Sequence, residues 1–223
     1  MTKDAAQRSI RTFYEGAMDK VNYFNNISIA TPLAQIYRRL GFRKGVTDLS
    51  PRDQAETEKY IERALSLIRL QGAGLHLPVL LEGKASVRLP QEGTFESRRL
   101  LKFLGGSDEI LLMGATAGPE IMAAIQEDAA GRNVTRGVVL DATASETVDA
   151  ALDWIMAFYN QTLRRQGKRL LAARYSAGYG DLALENQRTM HRLLALEKIG
   201  VEITETCILI PEKSVTAITG VTS

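Results

Sequence analysis

The residues of this chain best suited to hold a small molecule lie in one run, Arg174-Tyr175-Ser176-Ala177-Gly178-Tyr179-Gly180-Asp181. A guanidinium clamps a carboxylate through two parallel hydrogen bonds, and glycines that tolerate positive φ let backbone groups approach a bound molecule closely. Arg174, Tyr175, Ser176, Ala177, Gly178, Tyr179 and Gly180 are therefore the candidate ligand residues, and a small polar molecule bearing a carboxylate is the expected ligand. Spacing alone admits a second reading: a glycine-rich turn with Tyr175 and Tyr179 packed on the core and Arg174 solvated.

Other chemistries find little support. The two histidines, His76 beside an expected strand and His191 on an expected helix, have no evident serine or cysteine partner, so structural roles are expected and no catalytic residue is assigned. The single cysteine, Cys207, lies in an apolar run and reads as an inert core thiol. Being alone, it excludes an internal disulfide and a cysteine-rich metal site, and it fits a reducing compartment. Asp141, Glu146, Asp149 and Asp153 are dense, but they fall around the polar face of a helix; Asp149 and Asp153 share an i,i+4 relation without a histidine, so no metal site is assigned. Gly114-Ala115-Thr116-Ala117-Gly118 lacks the lysine and hydroxyl of a Walker loop, and a tight strand-to-helix turn and a second ligand edge are both open there.

These residues need a scaffold. At 223 residues, 45% hydrophobic and 24% charged, the chain suits one globular core without linkers or repeats. A formal charge of +2 gives no electrostatic reason to expect nucleic acid, and Arg38-Arg39 and Arg164-Arg165 read as solvated helix faces. Met1–Arg8 lacks the apolar stretch of a secretory signal, and no apolar run approaches the roughly 20 residues that span a bilayer. A cytoplasmic, unprocessed chain without membrane contact is expected.

Helical spacing predicts a first helix with Thr31 as cap and Pro32 in its first turn, carrying Leu33, Ile36, Tyr37 and Leu40 until Gly41. A second opens at Ser50-Pro51, buries Ile61, Ala64, Leu65 and Ile68, and is broken by Gly72 and Gly74. Leu75 to Leu89 reads as two strands around Gly83, Phe95 to Leu104 as a helix, and Glu109 to Ala115 as a buried strand. Val148, Ala151, Leu152, Ile155, Tyr159 and Leu163 mark the strongest amphipathic helix, ending near Gly167. Arg169 to Tyr175 reads as a strand that feeds the candidate loop. Met190, Leu193 and Leu194 line a helix closed by Gly200, and Val201–Thr204, Cys207–Ile210 and Val215–Val221 read as terminal strands with Pro211 at a bulge or edge. The fold class is α+β, a single domain with a mainly antiparallel twisted sheet and flanking helices.

The stretch from Arg174 to Gly220, with Arg-Tyr-Ser-Ala-Gly-Tyr-Gly-Asp, Ile199-Gly200-Val201, Thr204-Glu205-Thr206 and Ile210-Pro211-Glu212-Lys213-Ser214-Val215, resembles the activation (reactivation) domain of vitamin B12-dependent methionine synthase. Tyr37-Arg38-Arg39-Leu40-Gly41, Gly93-Thr94-Phe95-Glu96-Ser97 and Met113-Gly114-Ala115-Thr116-Ala117-Gly118 follow the order of free-standing members. The resemblance covers 32–223 and leaves 1–31 as an N-terminal extension or the first elements of the domain. It implies that Arg174 meets the methionyl carboxylate of S-adenosylmethionine, that Gly178 and Gly180 admit the adenosyl portion, and that Tyr179 faces the sulfonium. Apart from the resemblance, Asp181 is a candidate acceptor for the ligand's amino group; no N-terminal aspartate matches the acidic contact of the fused enzyme, so backbone carbonyls or a different acid are the other candidates.

The task implied is repair: cob(II)alamin is reduced by one electron and trapped by methyl transfer from S-adenosylmethionine. Neither histidine lies in an AspxHisxxGly corrinoid motif, so cobalamin must be supplied by a partner, a corrinoid protein or a methionine synthase lacking its activation domain. A flavodoxin or ferredoxin would donate the electron. The chain would then be a component of a cobalamin-dependent methyltransferase system in methionine biosynthesis. The alternative is a corrinoid-protein adaptor that keeps the fold without a productive S-adenosylmethionine site. Against a third reading, an ordinary S-adenosylmethionine methyltransferase, the chain shows no glycine loop after an early strand.

Overall fold

Glu109–Thr116 is nearly all apolar, and a strand without polar alternation must be covered on both faces. In the computed structural model, which describes residues 20–43, 45–90 and 93–223, this strand is the middle of a five-stranded sheet. Numbered along the chain, the sheet strands are β1 (Asn22–Phe24), β2 (Gln71–Pro78), β6 (Glu109–Thr116), β7 (Arg169–Leu170) and β10 (Ser214–Thr222). Their order is β1-β2-β6-β10-β7, with every pairing antiparallel, and Leu112 of β6 faces Leu75 on one side and Ile218 on the other. A second sheet joins β3 (Leu80–Glu82), β4 (Ser86–Leu89) and β5 (Gly93–Glu96); a hairpin joins β8 (Glu202–Ile203) to β9 (Leu209–Ile210). The architecture is α+β, an antiparallel sheet with flanking helices, as the sequence led us to expect. The extension expected at the N-terminus lies, up to residue 19, outside the described residues; residues 22–24 form an edge strand on β2.

Alternate side chains point to opposite faces of a strand, so β6 feeds two cores. Leu111, Met113 and Ala115 join one core with helices α1 (Leu33–Arg39), α2 (Pro51–Leu67), α4 (Pro119–Glu127) and α5 (Val134–Arg165). Ile110 and Leu112 join the other with the three-stranded sheet, α3 (Arg98–Phe103) and α6 (Asn186–Leu194). Among the described residues no helix is long and apolar enough to cross a membrane.

Local signals place several boundaries. Ser50 caps α2, its Oγ accepting from Asp53 N at 3.1 Å with Pro51 as the first helical residue. Helix α1 starts at Leu33 with no side-chain cap, so Thr31 does not play the role expected of it. The helix expected from Phe95 begins at Arg98, because Phe95 is a buried strand residue paired with Val87 and Ser97 supplies the cap, accepting from Leu100 N at 2.9 Å. Gly83 does turn a hairpin, between β3 and β4, while Gln71–Pro78 belongs to the main sheet. Helix α5 runs 32 residues, starting well before Val148, with Asn133 Oδ1 accepting from Arg136 N at 2.9 Å at its head. Cys207 is buried but sits in the turn between β8 and β9 with φ 65, not within a strand.

Gly72 and Gly74 are the largest departure. Helix α2 ends at Leu67 before reaching them, and both lie inside β2 beneath α5. A Cβ on Gly74 would stand 2.5 Å from Tyr159 Cε2, and one on Gly72 2.8 Å from Ile155 Cδ1. The missing side chains let α5 settle onto the sheet, where Tyr159 Oη donates to Gly74 O at 2.7 Å and accepts from Asn22 Nδ2 at 2.8 Å.

Where α4 gives way to α5, Asp128 is 1% exposed and receives two hydrogen bonds from Arg136, Nε to Oδ2 at 2.7 Å and Nη2 to Oδ1 at 2.5 Å. The Arg136 hydrogen bonds outweigh burial and hold the Asp128 carboxyl below its ordinary range. A lowered folded-state pKa contributes stability that is complete above the unfolded value, about 4, and is lost as pH falls through the folded one.

Two outcomes are expected. Gly74→Ala will destabilise the fold by about 1–3 kcal/mol, read by denaturant unfolding, because the new methyl group must displace a hydrogen-bonded tyrosine. Asp128→Asn will lower stability near neutrality and flatten its dependence on pH below about 4, read as melting temperature against pH; an unchanged acid limb would remove Asp128 from the account.

Candidate functional site

The candidate loop begins where a strand fails. Arg169 to Tyr175 is not one continuous strand: Leu170 pairs with Val221, Leu171 N donates to Gly220 O at 2.9 Å, and pairing resumes only at Tyr175, opposite Ile218. Three steps along β10 are matched by five along the partner segment, so two extra residues bow outward as a bulge. Thr219 Oγ1 donates to the Ala173 carbonyl at 2.8 Å, with the Leu171 carbonyl 3.3 Å from the same hydroxyl, and so supplies a partner where the ladder is interrupted.

Past the bulge the side chains diverge. Arg174 turns to the α5 side, where Nη2 reaches Asp149 Oδ2 at 2.7 Å and the Asp149 carbonyl at 3.3 Å, while Nη1 pairs with Asp153. Its side chain is 20% exposed, against 53% for Asp149 and 67% for Asp153. Burial pushes the guanidinium pKa down, but the hydrogen bonds it donates to Asp149 and Asp153 outweigh this and leave it raised. Arg174 is therefore a fixed cation. Tyr175 faces the other core, its ring 5.8 Å from that of Phe103, and its hydroxyl donates to Tyr179 O at 3.1 Å.

The tip of the loop is a tight turn: Gly178 N donates to Leu182 O at 2.8 Å and Leu182 N to Tyr179 O at 3.0 Å. Gly178 and Gly180 have φ of 84° and 60°. At Gly180 a Cβ would also lie 2.4 Å from Tyr175 Oη and 2.7 Å from Arg99 Cδ, so this position is closed to side chains twice over. Asp181 then ties the loop to α3: it accepts from Ser97 Oγ, from Arg98 N at 3.0 Å and from Arg99 N at 3.3 Å. The Ser97 hydrogen bond, with those backbone donors, holds its carboxyl below the ordinary range. A carboxylate placed at a helix N-terminus in this way is a capping group, and that role replaces the amino-group contact suggested by sequence.

A cleft of about 540 Å³ opens beside the bulge, lined by Asp149, Ala172, Ala173, Arg174, Tyr175, Ser176 and Tyr179. Of the seven residues singled out from sequence, Arg174, Tyr175, Ser176 and Tyr179 line it; Ala177 is buried in the core, and Gly178 and Gly180 shape the turn behind it. Tyr179 is 69% exposed and stands at the rim. Asp149 joins the site from α5. Its i,i+4 relation to Asp153 was visible, but nothing in the sequence joins the pair to Arg174.

The acidic residues of α5 are not a free polar face. Asp141 pairs with Lys213 at 2.7 Å and Glu146 with Arg39 at 2.5 Å, so each carboxylate of that row, Asp149 and Asp153 included, holds a cation from another element. At the second candidate edge, Gly118 (φ 86) and Pro119 open α4, and the backbone is used internally: Arg69 N donates to Ala117 O at 2.8 Å and Ala117 N to Lys213 O at 2.9 Å. Gly118, Pro119 and Glu120 nonetheless border a cleft of about 720 Å³ shared with Asn25, Asn26 and Arg69. His76 lies 3.2 Å from Glu109, which also takes Lys168, and His191 Nε2 lies 2.7 Å from Val201 O.

Asp181→Ala will release the loop from α3 while leaving the fold intact. Amide exchange at Arg98, Arg99 and Gly178 will quicken by about tenfold as the cap is lost. Because the Asp181 pKa is lowered, the unaltered protein will show the same loosening only when pH falls through that depressed value. Unchanged exchange at Arg98 and Arg99 would remove Asp181 as the anchor.

No protein-family model matches the sequence, and no curated protein matches it. Among solved structures, the chain is similar to the crystal structure of the MetH reactivation domain bound to AdoHcy, with a TM-score of 0.63 and 14% identity, covering 90% of this chain and 78% of that one. At that identity the likeness is one of fold. The chain is built on the fold of the MetH reactivation domain, the methionine synthase module that its loop and terminal motifs resemble.

Proposed function

We propose that the chain binds S-adenosylmethionine in the cleft beside Arg174 and serves as a separate reactivation component for a corrinoid-bearing partner. The observation that carries this reading is the position of Arg174 in the cleft, a fixed cation at the mouth of a bulge, on a fold whose solved neighbour has AdoHcy bound. A volume of about 540 Å³ is within the range of small-molecule sites. Arg174 takes the methionyl carboxylate, Ser176 and the backbone of the bulge flank it, and the exposed ring of Tyr179 stands at the rim to meet the sulfonium.

Such a component supplies position and charge. Cobalamin brought by the partner would furnish the methyl-accepting centre, with a flavodoxin or ferredoxin as electron source. This chain's residues hold the methyl donor in line and keep its carboxylate and sulfonium oriented, and for that no acid, base or nucleophile is required. The proposal places the chain in the cytoplasm, with a corrinoid protein or a methionine synthase lacking its own activation domain as partner.

One observation favours a second reading, the adaptor without a productive site: the donors of Arg174 are already engaged by Asp149 and Asp153. Calorimetric titration separates the two. The unaltered protein will bind S-adenosylmethionine, and Arg174→Ala, still folded by circular dichroism, will bind about 30-fold more weakly, corresponding to about 2 kcal/mol. Absence of binding would leave the adaptor, and equal binding by the variant would remove Arg174 from the site. In reconstitution, methylation of the partner's corrinoid will require this chain, an electron source and S-adenosylmethionine together.

A further inference from the structure

Resting on the reading above, we infer that Asp149 is the acceptor for the ligand's α-ammonium, and that the Asp149–Arg174 ion pair is the resting form of a zwitterion-recognition site. Asp149 is the one carboxylate among the residues lining the cleft. Its Oδ2 lies 2.7 Å from Arg174 Nη2, so the two groups stand side by side as the carboxylate and ammonium of an α-amino acid do. It is half exposed and can turn toward a ligand, whereas Asp153 grips Arg174 from outside the cleft lining.

The exchange adds an ion pair. In the empty cleft Asp149 serves Arg174; when an α-amino acid moiety enters, its carboxylate takes the released Nη2 of Arg174 and its ammonium takes Asp149. One internal pair is replaced by two across the interface, and Asp153 keeps Nη1 throughout. No charge is left uncompensated, which a lone clamp on the carboxylate would not achieve. Asp149 is thus a specificity residue for the amino-acid end of the ligand.

Calorimetry with three proteins and two ligands tests this. Asp149→Asn will weaken S-adenosylmethionine by about tenfold or more. The same variant will bind 5′-methylthioadenosine, which lacks both the carboxylate and the ammonium, within about twofold of the unaltered protein. Asp153→Asn, altered outside the cleft, will weaken S-adenosylmethionine less than about threefold. If Asp149→Asn binds S-adenosylmethionine as tightly as the unaltered protein, the inference fails and the proposed function stands. If Asp153→Asn is as damaging as Asp149→Asn, both act only by positioning Arg174 and the inference fails. If the unaltered protein binds neither ligand, the proposed function fails and the inference with it.

Discussion

Two glycines in one strand set how close the long helix can come to the sheet. With no side chains at Gly72 and Gly74, Ile155 and Tyr159 of α5 occupy the space above β2, and the tyrosine hydroxyl bonds directly to the strand backbone. Burial of the aliphatic stripe of α5, from Leu140 through Ala151 and Ile155 to Leu163, then fixes the helix in rotation as well as height. Every other contact of α5 follows from that seating, because a helix that cannot roll presents its remaining residues at fixed positions.

The acidic row on α5 shows what this rigidity provides. Asp141, Glu146, Asp149 and Asp153 receive Lys213, Arg39 and Arg174, three cations from segments far apart in sequence. Each of these pairs leaves one partner about half exposed or more, and ion pairs open to solvent contribute little stability individually, so their main effect is orientation. The helix works as a rail along which the entry to β10, the end of α1 and the candidate loop are aligned. On the far side of the loop Asp181 performs the matching task against α3, and the cleft lies between these two attachments.

The fold class was legible because the apolar runs at 109–116 and 214–222 and the amphipathic repeat of α5 are strong and local. The candidate loop stood out for its arginine, two tyrosines and two glycines, but spacing alone left a structural turn equally open, and the wider resemblance decided between them. What stayed hidden depends on partners distant in the chain. Gly72 and Gly74 look like helix breakers until Tyr159, more than eighty residues on, is placed above them. Phe95 fits a helical stripe as well as a strand, and only its pairing with Val87 decides. Asp149 and Asp153 have the pattern of a solvated face, and their role emerges only when the bulge delivers Arg174. The bulge itself is a mismatch in count between two segments, a property that neither segment contains.

That mismatch is confined between two fixed pairs, and this has a consequence for how the cleft varies. Leu170 is held opposite Val221 and Tyr175 opposite Ile218, so the faces of the flanking residues are set by those pairs and not by the number of residues between them. A bulge takes up a change in count by bowing further out or drawing in, and the ladder on either side keeps its register. The depth of the recess is thus free to change by insertion or deletion between Leu170 and Arg174, while the core beneath it stays the same.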